Sequence, residues 1–340
     1  MTDYDAILIV SFGGPEAPEE VVPFLENVTR GRNIPRERLE QVGEHYFLFG
    51  GKSPINDQCR ELVSALRSAL TEADIDLPVY WGNRNWRPML TDTVQQMADD
   101  GVEHAIAFVT SATSSYSACR QYREDIARAQ EAVGESAPRI DKIRQFYDHP
   151  GFIEPMIDNV AQSLSQAPDA RLVFTAHSIP MSMASTSDYE AQLREASRLV
   201  SDGVGHDDYD LVWQSRSGPP QVPWLEPDIN DHLESLNADG VDSVVVIPIG
   251  FISDHMEVMF DLDTEAMATA ERLGMTLVRA STVGTDHRFI EAIIELVEER
   301  RSNGPVRALG TLDVRPDVCA PGCCPAPSRP GIPNSGGPNK

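Results

Sequence analysis

Between Gly250 and Ala266 the chain reads GFISDHMEVMFDLDTEA, with carboxylates at Asp254, Glu257, Asp261, Asp263 and Glu265. On a helix, Glu257, Asp261 and Glu265 fall four residues apart, Asp254 lies three before the first, and all share one face. Like charges at that spacing weaken a helix slightly. Read as structure, the row is a solvated stripe opposite a core stripe of Val258, Phe260 and Leu262. Read as chemistry, acids lined up in a cleft suit a divalent cation or a proton relay. His177 ends the apolar run RLVFTAH, and Ser178 and Pro180 follow it, where a loop must begin. Taken alone it reads as a core histidine. At a strand end, with a carboxylate from another strand end, it reads as a partner in holding Fe2+ or as one of two paired bases.

Three loops set basic and hydroxyl groups beside small residues. NVTRGRN carries Arg30 and Arg32, FGGKSPIN carries Lys52, Ser53 and Asn56, and SSYSACRQYRED carries Ser114, Ser115, Arg120, Tyr122 and Arg123. The chain holds 53 acidic and 28 basic residues, a formal charge of −25. Against that background such loops are either ordinary surface or sites for carboxylates. The turn SFGGPE lacks the spacing of a dinucleotide loop, and no phosphate-loop motif occurs. Its glycines either let backbone approach a flat ligand or simply make the turn.

The five cysteines are Cys59, Cys119, Cys319, Cys323 and Cys324, three of them in VCAPGCCPAP. Tight clusters of this kind point to iron–sulfur or zinc. A fourth ligand must then come from Cys119 or Cys59. Adjacent Cys323 and Cys324 match no standard zinc-finger spacing, which ranks zinc second.

Positioning these groups requires strands that end together. Apolar, β-rich runs occur at 6–12, 78–83, 104–110 and 139–146, and again at 171–177, 209–215, 241–249 and 275–281, each followed by a helix-like stretch. This alternation predicts an α/β fold of two similar Rossmann-like domains, each a four-stranded parallel sheet flanked by helices. The boundaries expected are 1–168 and 169–284 for the two domains, 285–312 for a helix packing back on the body, and 313–340 for an irregular Cys/Pro-rich tail. The last fifteen or so residues read as disordered. Ligands of such sheets bind beyond the carboxyl ends of the strands, which is where His177 and the acid row stand.

The acidity repels nucleic acid and anionic lipid heads. No apolar run approaches the ~18 residues of a membrane span. The start MTDYDAILIV is acidic where a signal peptide is basic. A cytoplasmic monomer, not inserted in a membrane, is expected.

LVFTAHSIPMSMASTSDYE, WQSRSGPPQVPWLEPDI and IPIGFISDHMEVMFDLD, in this order, resemble the strongest blocks of the ferrochelatase family, specifically its actinobacterial, coproporphyrin-using branch. The likeness runs from about Asp5 to Gly284. It implies a lyase that inserts Fe2+, as substrate, into coproporphyrin III for haem synthesis, with the porphyrin between two Rossmann-like domains. It assigns His177 and Glu257 to the iron side of the macrocycle, and Asp261 and Glu265 to a route for metal or protons. It matches Ser53 and Tyr122 to contacts with the porphyrin and its propionates, and leaves Phe12 and Arg30 as further porphyrin neighbours. In related Firmicute enzymes a tyrosine that can ligate iron stands where this chain has Phe12, and a phenyl ring cannot do so. The resemblance also implies a [2Fe–2S] cluster on Cys119, Cys319, Cys323 and Cys324, with Cys59 as a core thiol, and haem-pathway enzymes as partners. The readings it competes with are a protoporphyrin IX ferrochelatase or other tetrapyrrole chelatase, a porphyrin carrier without turnover, and an iron–sulfur sensor.

Overall fold

The computed structural model describes residues 3–302 and 304–327. Most of the tail expected to be disordered lies outside the described residues. The first sheet is built from β1 (Ala6–Ser11), β2 (Val79–Asn83), β3 (His104–Val109) and β4 (Arg139–Lys142). The second is built from β5 (Arg171–His177), β6 (Tyr209–Gln214), β7 (Ser243–Ile247) and β8 (Thr276–Arg279). Every pairing is parallel, and the strand orders are β2-β1-β3-β4 and β6-β5-β7-β8. The same winding therefore occurs twice.

Central strands are buried from end to end: Ala6–Ser11 and Leu172–Ala176 are fully enclosed. This is why they read as continuous apolar runs rather than as alternating ones. Edge strand β4 stops at Lys142, short of its expected end at 146. Arg144 leaves the sheet because its buried guanidinium binds Glu299 at 2.8 and 3.1 Å, and its backbone N–H donates to Asp317.

Helices connect the strands: α1 (Pro18–Val28), α2 (Arg36–Phe47), α3 (Ile55–Glu72), α4 (Leu90–Asp99) and α5 (Gln121–Val133) in the first half, then α6 (Pro150–Leu164). The second half has α7 (Met181–Ala184), α8 (Tyr189–Val204), α9 (Ile229–Ala238), α10 (Met256–Phe260), α11 (Met267–Leu273) and α12 (His287–Ser302). Helix α12 packs against α3 and α6. Its Phe289 joins Phe108, Phe146 and Phe152, with ring centroids 4.9–6.2 Å apart. One apolar cluster thereby runs from Ile7 and Phe108 under the first sheet to Phe174 and Ile247 under the second. Among the described residues no helix is long and apolar enough to cross a membrane.

Candidate active site

Strand β5 lies between β6 and β7, so its carboxyl end is flanked by theirs. His177 is the last residue of β5 and is in register with Gln214, the last of β6. The loop after β7 is pressed against β5: the Gly250 N–H donates to the Thr175 carbonyl at 3.1 Å. A Cβ on Gly250 would stand 2.6 Å from Ala176 Cβ and 2.9 Å from its Cα, so only glycine allows this approach. The loop then enters α10, whose first turn is capped by His255 Nδ1 accepting the Glu257 N–H.

The result is that His177 Nε2 and Glu257 Oε1 face each other at 3.7 Å. His177 Nδ1 lies 2.5 Å from the Ser178 carbonyl. A carbonyl only accepts, so Nδ1 carries a proton and Nε2 is the atom turned to the site. Burial alone would push the imidazole pKa down; the Glu257 carboxylate and the Ser178 carbonyl outweigh it and hold it above its usual range. Burial would raise Glu257, and His177 overcomes this and holds it low. Both side chains still reach solvent, at 31% and 47% exposure, so their attraction is partly screened.

The acid row differs from the expected single helix face. Helix α10 ends at Phe260, a π-helical turn covers Asp261–Ala266, and α11 follows. Asp261 turns toward β6, accepting from the Ser215 hydroxyl and from Gln214 Nε2. Burial, then Glu257 and Glu265, lift its carboxyl to about 7 against the opposing Ser215 bond. Glu265 is raised too, first by burial. Asp254 leaves the row for Arg279 of β8, which binds it at 3.0 Å and binds Asp263, outside the row, at 2.5 Å. Phe260 does not join the core stripe. It stacks on His45 at the end of α2, centroids 3.8 Å apart, while Val258 and Leu262 are buried as expected. Gln214 Oε1 and Thr175 Oγ1, at these strand ends, are buried without a partner among the described residues. Unpaired polar atoms of this kind mark a place for water or ligand.

The residues expected around a porphyrin fall in different places. Phe12 follows β1 and is 36% exposed. Arg84 covers it at 5.8 Å, covers Tyr122 at 4.8 Å, and binds Asp125 at 2.9 Å. Tyr122 is buried, and one guanidinium thus contacts both its ring and that of Phe12. Ser53 is buried against Gly14, where an added Cβ would lie 2.7 Å from its own. Arg30 lines a cavity of about 380 Å³ with Asn27, Trp86 and Arg87. Among the described residues Arg30 and Arg87 form no ion pair, and neighbouring Glu26 is paired with Arg36. His177 does not line this cavity; His45, stacked on Phe260, is close enough to Glu265 to act on its charge. Sequence reasoning missed Arg84, Arg87 and His45. The segment GNRNWRP after β2 and the aromatic HYF at the end of α2 were the available signals.

Cys119, Cys319, Cys323 and Cys324 come together across about two hundred residues of chain, whereas Cys59 lies apart, buried in α3 with its thiol pushed up to about 11 by burial. Cys323 Sγ and Cys324 Sγ are 3.6 Å apart. Hydrogen bonding with Cys319 is the chief cause that raises the Cys119 thiol, and the same bond draws Cys319 down to about 7. Arg120 Nη1 anchors the loop by donating to the Cys323 carbonyl at 3.2 Å. Among the described residues no group of three or more ligands is set around one metal ion. Cys119 interacts with Cys319, Cys319 with Cys323, and Cys324 with both Cys323 and Cys119. That donor set suits a group that divides four thiolates between two irons.

Two doubly wound sheets, with a histidine and acids meeting at adjoining carboxyl ends, define a chelatase-like α/β protein. SirB from Bacillus subtilis, solved with Fe3+, shares this fold at a TM-score of 0.54 and 14% identity, over 88% of this chain and 97% of that one. The family model described as Ferrochelatase matches residues 4–301, and the chain belongs to that family. It is 53% identical to the coproporphyrin III ferrochelatase of Streptomyces coelicolor over 95% of this chain and 94% of that protein. It is 53% identical to the coproporphyrin III ferrochelatase of Nocardia farcinica over 96% and 97%.

Proposed function

We propose that this protein is a coproporphyrin III ferrochelatase, inserting Fe2+ into the macrocycle with release of the two pyrrole protons. The observation that carries the reading is the 53% identity, over nearly the whole chain, to proteins of that name. The site is suited to the chemistry. No electron changes hands, so the protein must deliver a dication and remove two protons. His177 and Glu257 stand at the reacting centre, with Nε2 and Oε1 turned to one another. Asp261 and Glu265 continue outward as a path for metal or protons.

Four propionates distinguish coproporphyrin III from the two-propionate protoporphyrin IX. Arg30 and Arg87 in their cavity offer unpaired guanidiniums to them, and Arg84 is the group through which Tyr122 would act. Phe12 gives the opposite face an aromatic contact and no ligand. Ser53 supports the β1 turn from beneath. The reaction is assigned to the cytoplasm. The test is anaerobic steady-state metallation of both porphyrins with Fe2+. A higher kcat/KM for coproporphyrin III is expected, and a preference for protoporphyrin IX overturns the substrate assignment.

The proposal extends to a [2Fe–2S] cluster on Cys119, Cys319, Cys323 and Cys324, supported by the gathering of these thiols and the exclusion of Cys59. Such a group supplies one-electron chemistry when bound. Anaerobically purified protein should hold about two irons and two sulfides per chain. Serine at any of the four positions should bleach it, and Cys59→Ser should not. Bleaching by Cys59→Ser would displace the assignment.

A further inference from the structure

Tyr189 is the first residue of α8, and its hydroxyl donates to the backbone carbonyl of His177 across 2.9 Å. The ring is buried and lies against Trp213 of β6, centroids 5.9 Å apart, which leaves the hydroxyl little freedom. The peptide that Tyr189 holds joins His177 to Ser178. The Ser178 carbonyl is in turn the partner of His177 Nδ1. A single hydroxyl therefore restrains the peptide that joins the residue carrying the imidazole to the residue whose carbonyl orients its ring.

The residue before Tyr189 is tied to the far end of the chain. Asp188 forms an ion pair with Arg315, in the segment after α12. That segment is fixed by further bonds to α8 and to the residues just before α6. Thr311 gives its N–H and hydroxyl to Glu195 of α8 at 2.5 and 2.9 Å, and the Leu309 N–H donates to Asp148 at 2.9 Å. Arg315 stands four residues before Cys319. The strap that brings in the cysteines thus grips the first turn of α8, and that turn grips the end of β5.

We propose that Tyr189 is a positioning residue for His177, and that the C-terminal strap, through Arg315 and Asp188, holds Tyr189 in register. The inference rests on His177 acting at the iron. A side chain held to within a fraction of an ångström is needed for productive geometry, and loosening it costs rate rather than binding. Among the described residues Arg315 pairs with Asp188 and with none of His177, Glu257 or Asp261, and Asp188 leads directly into Tyr189.

The test is a set of single variants and one double, with rates expressed per porphyrin-binding site so that unfolded protein does not count. Tyr189→Phe removes only the hydroxyl, and we expect kcat to fall about tenfold with both KM values within about twofold. Arg315→Gln should lower kcat about threefold, and Tyr189→Phe/Arg315→Gln should be no slower than Tyr189→Phe. An unchanged kcat per site in Tyr189→Phe overturns the proposal, as do losses that multiply in the double variant. His177→Ala is measured alongside. If it is inactive while Tyr189→Phe is unaffected, the positioning role alone fails. If His177→Ala turns over normally, the catalytic reading fails as well.

Discussion

Glu257 and Asp261 are one helical turn apart in sequence and sit in different surroundings. Glu257 faces His177 and is held ionised; Asp261 is bound by Ser215 and lifted to about 7, first by burial. A group at the reacting centre governs kcat, and one that gathers metal governs the apparent KM for Fe2+. Glu257→Gln should lower kcat by about a hundredfold or more. Asp261→Asn and Glu265→Gln should keep most of kcat and raise the KM for Fe2+ severalfold. Steady-state rates over a range of Fe2+ separate these, and three wild-type-like enzymes would mean a row that is only a wet helix face. His177 was legible as a site candidate because it ends a buried run, and Glu257 because the acid row leaves the carboxyl end of another, where a doubly wound sheet places its ligands; that the two meet came only from packing. Tyr122 and Ser53 were not legible as buried side chains. What covers them, Arg84 and Gly14, comes from distant segments that only packing brings near.

At the scale of elements, the meeting of His177 and Glu257 depends on the glycine loop between β7 and α10. Gly250→Ala forces a methyl into Ala176, including its backbone, and should cost about 1–3 kcal/mol of stability. It should also lower turnover in the protein that remains folded, because relief requires the loop to move away from β5. Chemical denaturation and kcat per folded site report both, and a neutral substitution would show that the loop is not wedged there. All eight strands were legible, since continuous apolar runs of that length have few other uses. Their ends were less so: β4 stops early because Arg144 finds Glu299, more than a hundred residues away. The acid row shows a second limit. Spacing by four residues fits an α-helical face, but it does not reveal the π-helical turn at Asp261–Ala266 or the claim of Arg279 on Asp254 and Asp263.

For the molecule as a whole, the two sheets are one body because α12 and α6 thread a shared core, and the fully buried His149 at the start of α6 lies in that seam. Its Nδ1 accepts the Gly151 N–H, so the neutral ring carries its proton on Nε2, toward Glu295 at 3.3 Å. Burial, with Arg144 and Arg307 nearby, lowers its pKa from 6.5 to about 3. Glu295 does not reverse this, being partly exposed and already paired with Arg307. The folded state therefore refuses a proton that the unfolded chain accepts below 6.5. This contribution is fully present above that pH and declines as pH falls toward 3, by up to about 1.4 kcal/mol per pH unit. His149→Asn, which keeps a cap acceptor, should flatten the acid limb of stability against pH; an unchanged limb would place the acid sensitivity elsewhere. The account stands on His177 as the group that acts when iron enters the ring. The most direct measurement is single-turnover insertion of Fe2+ into coproporphyrin III by His177→Ala, with porphyrin binding followed in the same sample. Porphyrin bound as in the wild type, with metallation lost, is the predicted result. Metallation at the wild-type rate would contradict the account.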